Sequence, residues 1–204
     1  MMDFTYINPG TLLAPTPAVM VSVGCENENS NIITIAWAGI VNSDPPLLSV
    51  SVRPGRHSYH MIEKSQEFVI NLVGRSLTKA ADLCGVRSGR DMDKFSACGL
   101  HPLPVPSLRY APAIQEAPLH LACKVQESKA LGSHTMFIGR IVDIGVRNDL
   151  IDADGRIDYV KADLTAYCHG EYMTLDQPLG FFGYSIARPE VLARRMGASK
   201  SRKE

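Results

Sequence analysis

Residues 47–53, LLSVSVR, alternate strictly between branched apolar and small polar or charged side chains from Leu48 onward. Alternation of this kind restricts a segment to a β-strand with one buried and one open face, because successive side chains point to opposite sides. Just upstream, IITIAWAGI (32–40) alternates too, and the turn signal NSDPP (42–46) joins the two runs. Strands 32–38 and 47–53 therefore read as antiparallel neighbours. Ile33, Ile35 and Trp37 form a core face on the first, and Leu48, Val50 and Val52 form one on the second. The opposite faces carry Thr34, Ala36 and Ala38, then Ser49, Ser51 and Arg53. Such a floor is either an ordinary solvated sheet face or a platform for a flat ligand.

The end of the second strand favours the platform. Pro54 and Gly55 break the chain, and Arg53, Arg56 and His57 crowd the start of a helix-like run, RHSYHMIEKS (56–65). Free N–H groups at a helix N-terminus attract anions, and arginine forks match phosphate oxygens. A planar ring on the floor with a phosphate at its edge suits flavin mononucleotide (FMN).

Elsewhere AVMVSVG (18–24), EFVINLV (67–73), LHLACKVQESKAL (119–131) and HTMFIGRIVDIGV (134–146) read as strands, the first closed by the turn CENENSN (25–31). SLTKAADLCGV (76–86) reads as a helix opened by a Ser76 cap and stopped near Gly85. From Gly85 to Pro118, prolines 102, 104, 106, 112 and 118 predict an extended, irregular chain lying over a surface, either functional or an arm between subunits. Residues 188–204 are helix-prone, then basic. Many short strands and few helices predict a mainly β protein, an antiparallel β-barrel with helical decoration. The chain shows no strand–helix alternation and no G-x-G-x-x-G, which argues against a dinucleotide-binding doubly wound sheet.

Composition narrows the partners. Lys and Arg total 21, as do Asp and Glu, so no basic surface for nucleic acid is expected. No run approaches a membrane span, and MMDFTYINPG lacks the regions of a signal peptide, so the chain is expected in the cytoplasm. The five cysteines have no C-x-x-C spacing and the six histidines no H-E-x-x-H, so no metal site is expected and the thiols read as free.

The block NIITIAWAGIVNSDPPLLSVSVRPGRHSYHMIEKSQEFVINL (31–72) resembles the core of the flavin reductase-like, FMN-binding split-barrel family, in its flavoredoxin-like branch. SGRDMDKF (88–95), GSHTMFIGRIVDI (132–144) and YMTLDQPLGFFGYS (172–185) extend the likeness over most of the chain. The resemblance implies a domain over 1–185 with a tail over 186–204, and a homodimer holding one FMN per subunit near the interface. It places Thr34, Ala36 and Trp37 against the ring or ribityl chain, leaving Trp37 with two readings, core or ligand contact. Ser51, Val52, Arg53, Ser58 and Tyr59 would hold ribityl and phosphate, and Lys94 would reach the flavin or its phosphate. His134 stands in Gly132-Ser133-His134, where many relatives carry Gly-Asp-His beside the nicotinamide or flavin ring. The implied activity is an oxidoreductase that passes hydride from NAD(P)H to FMN and electrons onward to a small molecule or redox protein. No catalytic side chain is required. The rival readings are an FMN electron carrier without NAD(P)H turnover and a binding module without turnover.

Overall fold

In the computed structural model, which describes residues 3–200, the alternating runs become a strongly curved sheet. Strands β1 (Thr16–Pro17), β2 (Val19–Cys25), β3 (Glu28–Ile35), β4 (Ala38–Asn42) and β5 (Leu47–Val52) precede helix α1 (His57–Ser65). Strand β6 (Glu67–Leu72) and helices α2 (Thr78–Val86) and α3 (Lys94–Cys98) follow, then the short strands β7 (Pro102–Leu103) and β8 (Ala113–Ile114). The long pair β9 (Leu119–Ala130) and β10 (Thr135–Val146) leads to β11 (Thr165–Cys168), β12 (Glu171–Thr174) and helix α4 (Pro189–Lys200).

Seven strands form one antiparallel sheet in the order β3-β2-β6-β9-β10-β5-β4. Its two end strands are consecutive in the chain, separated only by Ala36 and Trp37. The sheet must therefore curl until its ends meet, which makes a barrel. Because β3 and β4 do not pair, the barrel is split. Val19, Val21, Ile33, Ile35, Leu48, Val50, Val52, Phe68 and Phe137 fill its interior. Helix α1 adds Met61 and Ile62, both fully buried and each worth about 1.5–3 kcal/mol.

Strand β2 is buried along its whole length because both its faces are covered. Its outer residue Met20 packs with Ile32 beneath Leu77, Ala81, Cys84 and Phe95. The proline-rich segment covers the neighbouring strands, laying Val105, Ala111 and Ala113 on Val69 and Ala122. Buried polar groups anchor it. The Glu67 carboxylate accepts the N–H groups of Arg109 (3.0 Å), Tyr110 (2.8 Å) and Ala111 (3.3 Å). Ser22 donates to the Pro112 carbonyl at 2.5 Å, and Asn71 accepts from the Ile114 N–H at 2.8 Å. Gly24 is required here, since the Tyr110 carbonyl occupies the place its Cβ would take.

Several sequence expectations change. The run 32–40 is two strands, not one: β3 pairs with β2, and only β4 pairs with β5. The break at Ala36 turns Trp37 out of the core, to 38 % exposure, while its carbonyl accepts the Ser51 N–H at 3.0 Å. The turn after β2 is tighter than expected, with β3 resuming at Glu28. Ser76 caps nothing by its side chain, lying inside a 3₁₀ turn, although α2 does end at Val86, beside Gly85 as expected. The proline-rich stretch contains α3 and the β7–β8 pair, and the surface it lies on is its own subunit's.

The chain divides into two compact units at Thr174/Leu175. Within the second, the Phe181 and Tyr184 rings lie 6.4 Å apart and the Arg195 guanidinium sits 4.2 Å over Phe181. Residues 201–204 of the expected basic tail lie outside the described residues. Among the described residues no helix is long and apolar enough to cross a membrane.

Candidate functional site

The split in the barrel opens a cleft of about 680 Å³, within the size range of small-molecule and cofactor sites. Thr34, Ala36, Trp37, Ser51, Val52, Arg53 and His134 all line it. The Thr34 hydroxyl is turned away, donating to the Ala81 carbonyl of α2. Gly85, one turn on, lets α2 approach: a Cβ there would sit 3.3 Å from Thr34. The opposite wall comes from the β11–β12 hairpin, through Tyr167, His169, Gly170 and Tyr172. Its two-residue turn, His169-Gly170, has positive φ at both positions (43° and 105°), as a type I′ hairpin needs. The sequence reading missed this wall, although TAYCHGEYMT alternates on either side of a glycine turn.

A second cavity of about 180 Å³ shares Ile33 and Arg56 with the first, and His57, Ser58, Arg87, Arg90 and Lys94 line it. It sits at the start of α1. The capping residue Arg56 is extended and offers no side-chain cap, so the first-turn N–H groups have no such partner. The Ser58 hydroxyl accepts from Asn31 Nδ2 at 2.9 Å, and Arg90 donates to the Gly55 carbonyl at 3.2 Å. Lys94, 3 % exposed, donates from Nζ to the carbonyls of Ile32 (2.7 Å) and Cys84 (2.8 Å). Burial pulls its pKa below the ordinary lysine value.

A buried charge is ordinarily paired. Yet among the described residues no carboxylate forms an ion pair with Arg53, Arg56, Arg87, Arg90 or Lys94. In a chain of zero net charge, this corner concentrates cations. Arg87 and Arg90 were not singled out from sequence; the basic run RSGR (87–90) was the available signal.

His134 borders both the cleft and an apolar annex lined by Leu13, Trp37 and Leu131. Ser133 Oγ lies 2.9 Å from its Nδ1. Burial, and then the neighbouring Arg53 charge, hold its pKa below the usual histidine value. Tyr59 lies outside the lining of both cavities. Its ring packs 5.5 Å from Phe137 and its hydroxyl is 3.2 Å from Thr135 Oγ1.

Comparison with known proteins agrees with this geometry. The flavoredoxin of Desulfovibrio vulgaris (Miyazaki F) superposes with a TM-score of 0.85 at 30 % identity, over 91 % of this chain and 100 % of that one. The flavoredoxin of Methanosarcina acetivorans shares the fold, with a TM-score of 0.81 at 24 % identity over 91 % of this chain and 100 % of that one. The high molecular weight rubredoxin of Moorella thermoacetica is 29 % identical over 107 residues, which is 52 % of this chain and 45 % of that protein. The model of the flavin reductase-like domain matches residues 12–176, and the chain belongs to that family.

Proposed function

We propose that the protein binds FMN in the cleft and works as an oxidoreductase, taking hydride from NAD(P)H and passing electrons to a small molecule or a redox protein. The observation that carries this reading is the cation cluster at the end of a ring-sized floor, with the buried ammonium of Lys94 lacking a carboxylate. The donor set fits the group: arginine forks, helix N–H groups and a lysine suit a phosphate dianion, and the adjoining cleft accepts a flat ring. When bound, FMN supplies two-electron chemistry that no side chain here can.

The chain's own residues bind and orient. Arg53, Arg56 and Lys94 would hold the phosphate, with Ser58 fixed beside them by Asn31. Ser51 and Val52 would border the ribityl end, and Thr34, Ala36 and Trp37 would border the ring. Tyr59 would act behind the site, supporting the wall through Thr135. The apolar annex beside Trp37 has room, about 460 Å³, for a second ring set against the first. Neutral His134 at their junction would orient that ring without adding charge. Positioning alone supplies much of the rate of such a transfer, so no general base is assigned.

Exposed Phe4, Tyr6, Ile7, Leu12 and Leu13 support a homodimer, since contiguous exposed apolar chain marks an association surface. Five free cysteines suit a reducing, cytoplasmic compartment. The 30 % identical flavoredoxin favours a second reading, an FMN electron carrier that does not turn over NAD(P)H. Anaerobic stopped-flow mixing of the FMN-loaded protein with NADH and NADPH separates them. Rapid bleaching of the flavin is expected. No bleaching with either, with reduction by a redox protein, would leave the carrier. A protein that takes up no FMN would overturn both.

A further inference from the structure

Three residue types that ligate metals meet where the β2–β3 hairpin packs against α1. Cys25 and Glu28 are cross-strand partners at the tight end of the β2–β3 hairpin, so their side chains leave the same face of the ribbon. The turn between them holds Asn27 at φ 62°, which fixes that pairing locally. His60 comes from α1, and its Nε2 lies 2.8 Å from Glu28 Oε2. The Cys25 Sγ, a Glu28 oxygen and a His60 nitrogen all lie within 4.8 Å of one another.

We propose that Cys25, Glu28 and His60 form a binding site for one thiophilic divalent transition-metal ion of the zinc class. The inference stands apart from the flavin reading, and none of the three ligands is a residue of that reading. Thiolate, imidazole and carboxylate are the ligand set such ions prefer, and three protein ligands with one open position is a known zinc arrangement. With metal–ligand bonds of roughly 2.0–2.3 Å, tetrahedral ligand atoms stand about 3.3–3.7 Å apart. The observed cluster reaches that geometry by side-chain adjustments of about 1 Å.

The surroundings suit an ion. Lys64 Nζ holds the other carboxylate oxygen, Oε1, at 2.8 Å, leaving Oε2 directed at His60. The His57 ring stands edge-on to His60 at 5.1 Å and steadies it. A shallow cavity bordered by Glu28 and His57 provides an approach from solvent. On binding, the Cys25 thiol gives up its proton to solvent and the sulfur–metal bond replaces the S–H bond, so one proton is released per ion. The bound ion would tie the β2–β3 hairpin to the helix whose first turn lines the cation-rich cavity.

The test is anaerobic titration of the chelator-treated, full-length protein with Co²⁺, followed by competition with Zn²⁺. One equivalent per chain is expected, with thiolate-to-cobalt charge transfer in the near ultraviolet and tetrahedral bands in the visible, both lost when zinc is added. Cys25→Ser should abolish the charge-transfer band. It should also weaken zinc by more than the roughly 10–100-fold that loss of an outer-sphere partner costs. Cys168→Ser, at a thiol outside the cluster, should change neither. If Cys25→Ser does not fold, His60→Gln at a half-exposed position gives the same test through zinc affinity. No saturable uptake, or a charge-transfer band that survives Cys25→Ser, or zinc affinity untouched by His60→Gln, would overturn the site.

Discussion

Lys94 and Glu67 are both ionisable and nearly buried, at 3 % and 7 % exposure, and both bond to main-chain groups, yet they sit in opposite situations. The Glu67 oxygens receive three consecutive N–H groups from residues 109–111, which satisfies an acceptor-only group. An ammonium has three protons, and Lys94 spends two on the Ile32 and Cys84 carbonyls. The rest of its surroundings is a cavity shared with Arg56, Arg87 and Arg90. The carboxylate is saturated and holds a loop. The ammonium is unsaturated among like charges, and that is the condition of a group built to meet an anion. Burial alone therefore does not separate scaffold from site; completeness of the hydrogen bonding does.

The sharpest test of that contrast is Glu67→Gln. The amide loses the charge and turns N–H groups toward N–H groups, so unfolding in urea should show a loss of about 3 kcal/mol. FMN affinity of the folded protein should stay unchanged. A loss of FMN binding without a loss of stability would reverse the roles assigned to the two residues.

Lys94→Met comes next. Removing a charge-assisted contact to phosphate costs up to about 3 kcal/mol, so FMN should bind about 100-fold more weakly, read by quenching of flavin fluorescence. Riboflavin, which has no phosphate, should lose far less. Equal losses for the two flavins would make Lys94 a structural residue like Glu67.

Arg53→Ala should cost about tenfold in FMN affinity, again with little effect on riboflavin. Arg53→Lys should recover part of it, because lysine keeps the charge but not the fork. If both variants bind FMN as tightly as the parent, the phosphate is held from the Arg56 side alone.

The smallest effect is on pH dependence. The folded pKa of Lys94 is lowered by burial, so between that value and the ordinary lysine value the unfolded chain binds more protons than the folded one. The FMN-free protein should therefore gain stability from this group as pH rises through that window. Chemical denaturation across the alkaline range should show the gain in the parent and its absence in Lys94→Met. Identical slopes would mean that Lys94 is better solvated than its burial implies.

Much of this was legible in the residues. The core faces Ile33, Ile35, Leu48, Val50 and Val52 are all buried, as alternation requires, and Arg53 stands where a strand ends beside a helix start. The break at Ala36-Trp37 was not legible, because no glycine or proline marks it. Helix α3 was missed because its five residues are too few to show a helical period, although Asp93 accepts the Ser96 N–H and Gly99 closes the helix at φ 62°. The partners of Tyr59, Thr135 and Phe137, were not legible either, since they belong to a strand far along the chain.

The sequence by itself determined most of the seven strands of the main sheet, the inner faces of β3 and β5, and the charge at the end of β5. Those follow from backbone geometry and side-chain polarity acting over a few neighbouring residues. Only the tertiary structure decided which strand ends meet across the split, and which charges remain unpaired. It alone set Lys94 against Ile32, 62 residues away, and brought His60 to Glu28 across 32 residues. The physical reason is distance along the chain. A side chain's solvation and charge partners are set by whatever the closed barrel brings beside it, and no local pattern encodes that.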